Sequence, residues 1–383
     1  MSLLAWGLGM MALGAGFGWA QETMVEYALT APLVVEGKNG VIIERLHFRR
    51  RLPPGQAAVQ IRGSTNILVR NCAFAGIGPG IVIQGGENVR IENCAFIDLY
   101  EAGMQGLVPQ IGVESYQVRG LSVEGCLFEF VACGLYAASS EGVIFRKNAA
   151  FNMLGPYPRG QAVQFGRVTG RGNVIEDNFV LNESGISFPQ DCINLFESFG
   201  TPDSPIRVER NLIRGDPERG SHGQSASGSG IMAGDGGGAF QMIRQNEMDS
   251  PGQAGIGVAS GSDIEVSENK VRGMASAVSN VGISVWNQYP AKGGQVTVAS
   301  NLVGWRNKKS QLNNFWSGKA KMGPAYEFSQ VTFIDNREVF PEEIEIDGTL
   351  PLEPWLFMEG AKYSQRLKMS GARWDHLFDP SKD

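Results

Sequence analysis

One short phrase returns along most of this 383-residue chain: apolar residues alternating with polar ones, then an asparagine. It reads Ile67-Leu68-Val69-Arg70-Asn71, Val89-Arg90-Ile91-Glu92-Asn93, Val174-Ile175-Glu176-Asp177-Asn178 and Ile206-Arg207-Val208-Glu209-Arg210-Asn211, and continues through Asn246, Asn269 and Asn301. Asn148 fits after Val143-Ile144-Phe145, and Gly125 stands in for asparagine once. Successive phrases lie 22 to 35 residues apart, and a second apolar phrase precedes most of them, as in Gly80-Ile81-Val82-Ile83 and Cys192-Ile193-Asn194-Leu195. Each phrase has period two, the mark of a short strand with one buried face. Two or three short strands per repeat, each stacked on its neighbour, make a solenoid whose coils bury their apolar faces only against one another. Asparagine suits the turn because it tolerates the left-handed conformation, and stacked amides can bond each other in a ladder.

Composition agrees with one repetitive body. There are 51 glycines, 43% hydrophobic residues and only 19% charged ones, with no charged tract or Ser/Pro linker to divide the chain. A net charge of −6 argues against a nucleic-acid partner, which needs a basic stripe. At the repeated phrases, over about residues 30 to 336, the chain resembles the right-handed parallel β-helix proteins of the pectin-lyase-like superfamily. The resemblance implies an all-β, single-stranded right-handed parallel β-helix of about ten coils. It does not imply one reaction, since that superfamily holds lyases, hydrolases, epimerases and phage tailspikes.

Three segments are expected: a signal peptide over 1–20, the β-helix over 21–337 and a capping tail over 338–383. The first 20 residues are apolar, uncharged and end in Gly18-Trp19-Ala20, which reads as an export signal or an uncleaved anchor. No later stretch is long and apolar enough to span a bilayer, so the mature chain is expected in the periplasm or outside the cell. The tail carries Trp355, Phe357, Trp374 and Phe378 but no coil phrase. Of five cysteines, Cys72, Cys94 and Cys126 recur in one context, as half-buried stacked thiols would.

In a solenoid the coil core is structural and the long loops on one edge carry function. Here the longest insertions, 152–161, 182–191 and 214–229, precede consecutive coils and are expected to flank one groove. By alternation its floor presents Glu114, Tyr116, Tyr136, Gln164, Asn194, Phe196, Met232, Ser284 and Trp286 to the outside. Amides and acids suit sugar hydroxyls, and aromatic rings suit sugar faces.

The candidate catalytic residues are Asp191, His222, Asp235 and Tyr136. Asp191 opens a floor strand, Asp235 closes the next one, and His222 titrates near neutrality in the longest loop. Candidate substrate-binding residues are Glu114, Tyr116, Tyr157, Arg159, Gln164, Asn194 and Glu197. Gln190-Asp191-Cys192 and Ser221-His222-Gly223 partly resemble two catalytic patches of polygalacturonase-type hydrolases. Gln190 stands in place of one acid and Ser221 in place of one glycine, whereas glycoside hydrolysis generally uses two carboxyl groups. Lyase chemistry would instead draw on Arg159, Tyr157 and Tyr136, with His222 or Tyr136 as base. Glu114, Asp191 and Asp235 are oxygen ligands of the kind calcium takes, although no calcium-loop spacing occurs. No Cys/His zinc spacing and no phosphate-binding loop is present. The leading expectation is an exported enzyme that cleaves or modifies a polysaccharide, an acidic one, over the middle coils; the alternative is a non-catalytic glycan-binding or surface scaffold protein.

Overall fold

The computed structural model describes residues 28–29, 31–49, 52, 55–76, 78–103, 106–155, 159–183, 187, 189, 191–215, 228–318 and 323–346. The expected leader and most of the expected capping tail lie outside them, as do Tyr157, Gln190 and His222.

The described residues build a parallel β-helix, as the period of the sequence predicts, and somewhat longer than ten coils. One strip is a 12-stranded parallel sheet that runs from Ala28–Leu29 to Arg337–Glu338. The other two strips are continuous with each other because several strands bend from one into the next, including Val59–Arg70, Ile81–Glu92 and Ser229–Arg244. Pairing between coils is parallel and in register, for example Val163 with Ile193 and Ile193 with Ile231. An antiparallel hairpin of Tyr100–Gly103 with Gly106–Pro109 interrupts this pattern.

Inside the coil, alternate residues stack like on like. Phe48, Phe74, Phe96 and Phe128 form a column of near-parallel rings with centroids 4.9, 4.7 and 5.0 Å apart. These spacings match the rise between stacked strands, so one residue type at one coil position packs against itself without strain.

The polar ladder is real, but its first rungs are not the asparagines that the repeat marks. From Asn148 onward, each amide Nδ2 donates to the Oδ1 of the next coil's asparagine, through Asn178, Asn211, Asn246, Asn269, Asn301 and Asn336, at 2.8–3.1 Å. Each Nδ2 also reaches a backbone carbonyl, as Asn178 reaches that of Phe145 at 3.0 Å. Asn71 and Asn93 sit one position earlier: both have φ near +52°, and Asn93 N donates to Glu124 O just as Asp177 N donates to Glu209 O. The residues aligned with Asn148 are Cys72, Cys94 and Cys126, whose thiols take over the amide's contacts. Cys94 N approaches Cys126 Sγ at 3.5 Å, and Cys126 N donates to Asn148 Oδ1 at 2.9 Å. The expected alignment of Asn71 and Asn93 with Asn178 and Asn211 is thus off by one residue. Gly125 shares the left-handed position at φ +62°, where a Cβ would meet Asn93 Oδ1 at 2.5 Å. All five cysteines are buried and no disulfide joins them.

At the far end, a turn over Pro341–Glu343 lays Pro341 and Ile344 against the last coil, and Arg272 donates to Ile344 O at 3.2 Å. No described helix is long and apolar enough to cross a membrane.

Candidate functional site

Alternation puts one row of side chains on the outer face of the second strip. Through the register, Glu114, Tyr136, Gln164, Asn194 and Met232 lie beneath one another, followed by Gly257, Ser284 and Trp316. This is the floor that the sequence predicts. From Tyr136 to Trp316 it crosses six strand steps, about 29 Å at the usual spacing. A groove of about 820 Å³ lies over it.

The groove has two walls. Where the strands begin, Arg159, Gln161, Gln253, Asn280 and Asn313 line it. Where they end, Phe196, Asp235, Trp286, Gln288 and Tyr289 do. Of the expected insertions, 152–161 supplies Arg159 and Gln161 to the first wall and the end of 214–229 supplies Gly228 and Ser229, while Gln253, Asn280 and Asn313 come from later coils and residues 216–227 lie outside the described ones. Of the second, Phe196, Asp235 and Trp286 were named from sequence, and Gln288 and Tyr289 were not. Trp286, Gln288 and Tyr289 come from residues 286–294, an excursion after Val281–Val285 whose Asn-Gln-Tyr-Pro composition marks a loop but which opens on the other edge.

At the centre stand Asp191 and Asp235. Asp191 is the first residue of the strand Asp191–Phe199 and Asp235 lies within Ser229–Arg244, where the register between the two strands shifts. Asn194 Nδ2 donates to Asp191 Oδ2 at 3.1 Å and to Asp235 Oδ2 at 3.0 Å. Asp191 Oδ1 accepts from Ser229 N at 3.0 Å, and Asp235 Oδ1 from the Tyr289 hydroxyl at 2.7 Å. Burial pushes the Asp191 carboxyl up to about 6; its bonds to Asn194 and Ser229 pull the other way, and the nearby Asp235 charge adds to the rise. Asp191 opens its strand as the sequence predicts, whereas Asp235 lies inside a strand that continues through it to Arg244, and the Tyr289 contact was missed.

Tyr136 closes one end of the groove, with the Arg159 guanidinium stacked 3.8 Å from its ring centroid. Two tryptophans close the other, Trp286 and Trp316, edge to face at 5.9 Å and each about two-fifths exposed. Gln164 and Asn194 lie between, both buried, each with a side-chain amide oxygen that has no hydrogen-bond partner.

Other expected residues fall elsewhere. Glu114 is on the floor row and Tyr116 on the parallel row opposite Ala138, both one coil beyond Tyr136 and outside the groove lining, and they bond to each other. Burial and the Glu114 bond raise the Tyr116 phenol well above its ordinary value, so it stays protonated. Glu197 turns away altogether. Its backbone adopts φ +47°, ending the alternation, and its carboxylate pairs with Arg167 at 2.8 Å. It lines a second recess of about 480 Å³, with Phe199, Gly236–Gly238 and Lys292. Among the described residues no three acid, imidazole or thiol groups gather as a metal site requires, so Glu114, Asp191 and Asp235 do not form the calcium set considered from sequence.

Residues 31–222 match the family described as the right-handed β-helix region. Among solved structures, a mannuronic acid-specific polysaccharide family 6 lyase from human gut microbiota is similar at 13% identity and TM-score 0.53, over 83% of this chain and 77% of its own. An alginate lyase in complex with a trisaccharide is similar at 12% identity and TM-score 0.45, over 80% of each chain. A periplasmic alginate epimerase is similar at 11% identity and TM-score 0.42, over 80% of this chain and 77% of its own. No curated protein sequence matches. At such identities the likeness is one of fold.

Proposed function

The chain belongs to the right-handed β-helix family, and from that premise we propose that it is a polysaccharide-cleaving enzyme acting by glycoside hydrolysis in the groove over the middle coils. The observation that carries the reading is the Asp191–Asn194–Asp235 cluster: two carboxyl groups tied to one amide nitrogen at the centre of a long trough. Hydrolysis of a glycosidic bond needs one carboxyl that holds a proton near neutrality and a second that stays ionised. Asp191, lifted to about 6 by burial, is assigned as the acid that protonates the leaving oxygen. Asp235, held by two donors from Asn194 and Tyr289, is assigned as the carboxylate that attacks or stabilises the anomeric carbon. The tryptophans and Tyr136 would seat sugar rings on either side of the bond that breaks.

Export is part of the reading and rests on the apolar first 20 residues. The test is a panel of glycans incubated with the protein and with Asp191→Asn. New reducing ends without an ultraviolet-absorbing unsaturated product, lost in the variant, are expected. An unsaturated product would assign a lyase instead. Binding without turnover by the unaltered protein would assign a binding module.

A further inference from the structure

We infer that the groove takes a neutral, hydroxyl-rich glycan rather than a polyuronide, an inference that rests on the groove being the glycan site proposed above. Three observations carry it. First, the charge is wrong for an acidic chain. Asp191 and Asp235 stand at the centre, and Arg159 is the only cation lining the groove among the described residues, already stacked on Tyr136 at one end. Lys292, the next cation, points into the second recess, where it bonds Gly236 O and faces Glu197. A polyuronide carries a carboxylate on each ring, so the rings beside Asp235, and beside Asp191 once it ionises above about pH 6, would meet like charge with no neutralising partner among the described residues.

Second, the unused hydrogen-bonding capacity has a sign. Gln164 Oε1 and Asn194 Oδ1 are buried in the floor without a partner. An amide oxygen only accepts, so its complement is an O–H donor. A ring hydroxyl supplies one and a carboxylate does not, so these two floor positions suit hydroxyls and not an acid group. Third, the walls continue this character: Gln161, Gln253, Asn280, Gln288 and Asn313 are neutral amides that can donate and accept. A site built to bond hydroxyls discriminates against ligands that leave its buried polar groups unmatched.

The experiment pairs turnover with binding. The unaltered protein is assayed for reducing ends on neutral β- and α-glucans and mannan, and on polygalacturonate and alginate. Asp191→Asn is titrated calorimetrically with oligosaccharides of both classes at low salt. Neutral oligosaccharides are expected to bind about 100-fold more tightly than polyuronides. Gln164→Leu is expected to raise KM on the neutral substrate about tenfold with kcat retained. Asp191-dependent cleavage of a polyuronide in preference to every neutral glycan overturns the neutral assignment and leaves the hydrolytic reading standing. Tight binding of a neutral glycan with no turnover supports this inference and overturns hydrolysis. Failure to bind either class overturns both.

Discussion

Asp191 and Asp235 share one donor: the side-chain nitrogen of Asn194 lies 3.1 Å from an oxygen of the first and 3.0 Å from an oxygen of the second. A primary amide has two hydrogens, one for each acid, so Asn194 fixes the spacing of the pair as well as its orientation. It does so from the floor of a rigid sheet, where alternation leaves its side chain no other face to occupy.

The spacing predicts the stereochemistry. Because one nitrogen reaches both acids, their nearer oxygens are no more than about 6 Å apart, on the short side of the gap that separates retaining from inverting pairs. Retention of anomeric configuration is expected, read by proton NMR of the first-formed product. An inverted product would remove Asp235 from the nucleophile's role.

The raised carboxyl of Asp191 predicts a pH limb. A general acid must carry its proton, and Asp191 loses it near pH 6, so kcat/KM is expected to fall as pH rises through about 6. Asp191→Asn keeps the shape and removes the proton, with an expected loss of about 10²- to 10⁴-fold in kcat. A profile flat across pH 5 to 8 would mean that another group supplies the proton.

How far the sequence discloses this site depends on what each residue's position obeys. The floor from Tyr136 to Ser284 is legible because strict alternation leaves no freedom about which face a side chain takes. Asp191 is legible because it opens a floor strand, and Asp235 because Gly-Asp-Gly-Gly-Gly interrupts the apolar alternation there, although the strand bends through it rather than ending. Glu197 is not, since it follows Phe196 through a left-handed turn that rotates its side chain into another recess, and nothing in Phe-Glu-Ser announces that turn. Tyr289 comes from the opposite edge, which a search along one set of insertions passes over. The off-by-one in the first rungs has a similar cause: Asn71 and Asn93 obey the turn's backbone preference, and the buried contact belongs to the residue that follows.

A second buried acid predicts a pH-dependent stability. Asp98 is 2% exposed, neither carboxyl oxygen has a hydrogen-bond partner, and burial, with a smaller contribution from Glu129, lifts it to about 7. The folded chain therefore holds this proton more strongly than the unfolded chain does. Stability from this group is full below about pH 4 and is lost as pH rises to about 7, by up to about 4 kcal/mol. Asp98→Asn removes the charge and suits the left-handed backbone at φ +53°, which Asn152 adopts two coils on. The variant is expected to match the parent near pH 4 and to exceed it by about 2–4 kcal/mol at pH 8, measured by urea unfolding at both pH values. Equal stabilities at pH 8 would show that Asp98 finds a solvating partner in solution.

The junction between thiol and amide rungs predicts an asymmetric exchange. Cys126 stands directly above Asn148 and already takes its Oδ1 at the backbone, while its thiol reaches Ile91 O at 3.8 Å, where an amide one coil on reaches the equivalent Val123 O at 3.0 Å. Cys126→Asn would extend the ladder by one rung, with Nδ2 able to donate to Asn148 Oδ1 and Ile91 O and Oδ1 to accept from Cys94 N. It is expected to leave stability within about 1 kcal/mol of the parent. Asn178→Cys breaks a continuous run instead. Asn148 loses the amide acceptor of both its backbone and side-chain nitrogens, and Asn211 Oδ1 keeps the backbone nitrogen of residue 178 but loses the side-chain donor above it. Leaving buried donors unmatched costs about 1–3 kcal/mol each, so a loss of about 3–5 kcal/mol is expected in the same urea experiment. Equal costs for the two exchanges would mean that the column is held by the stacking of its strands alone and that the amides contribute no more than thiols do.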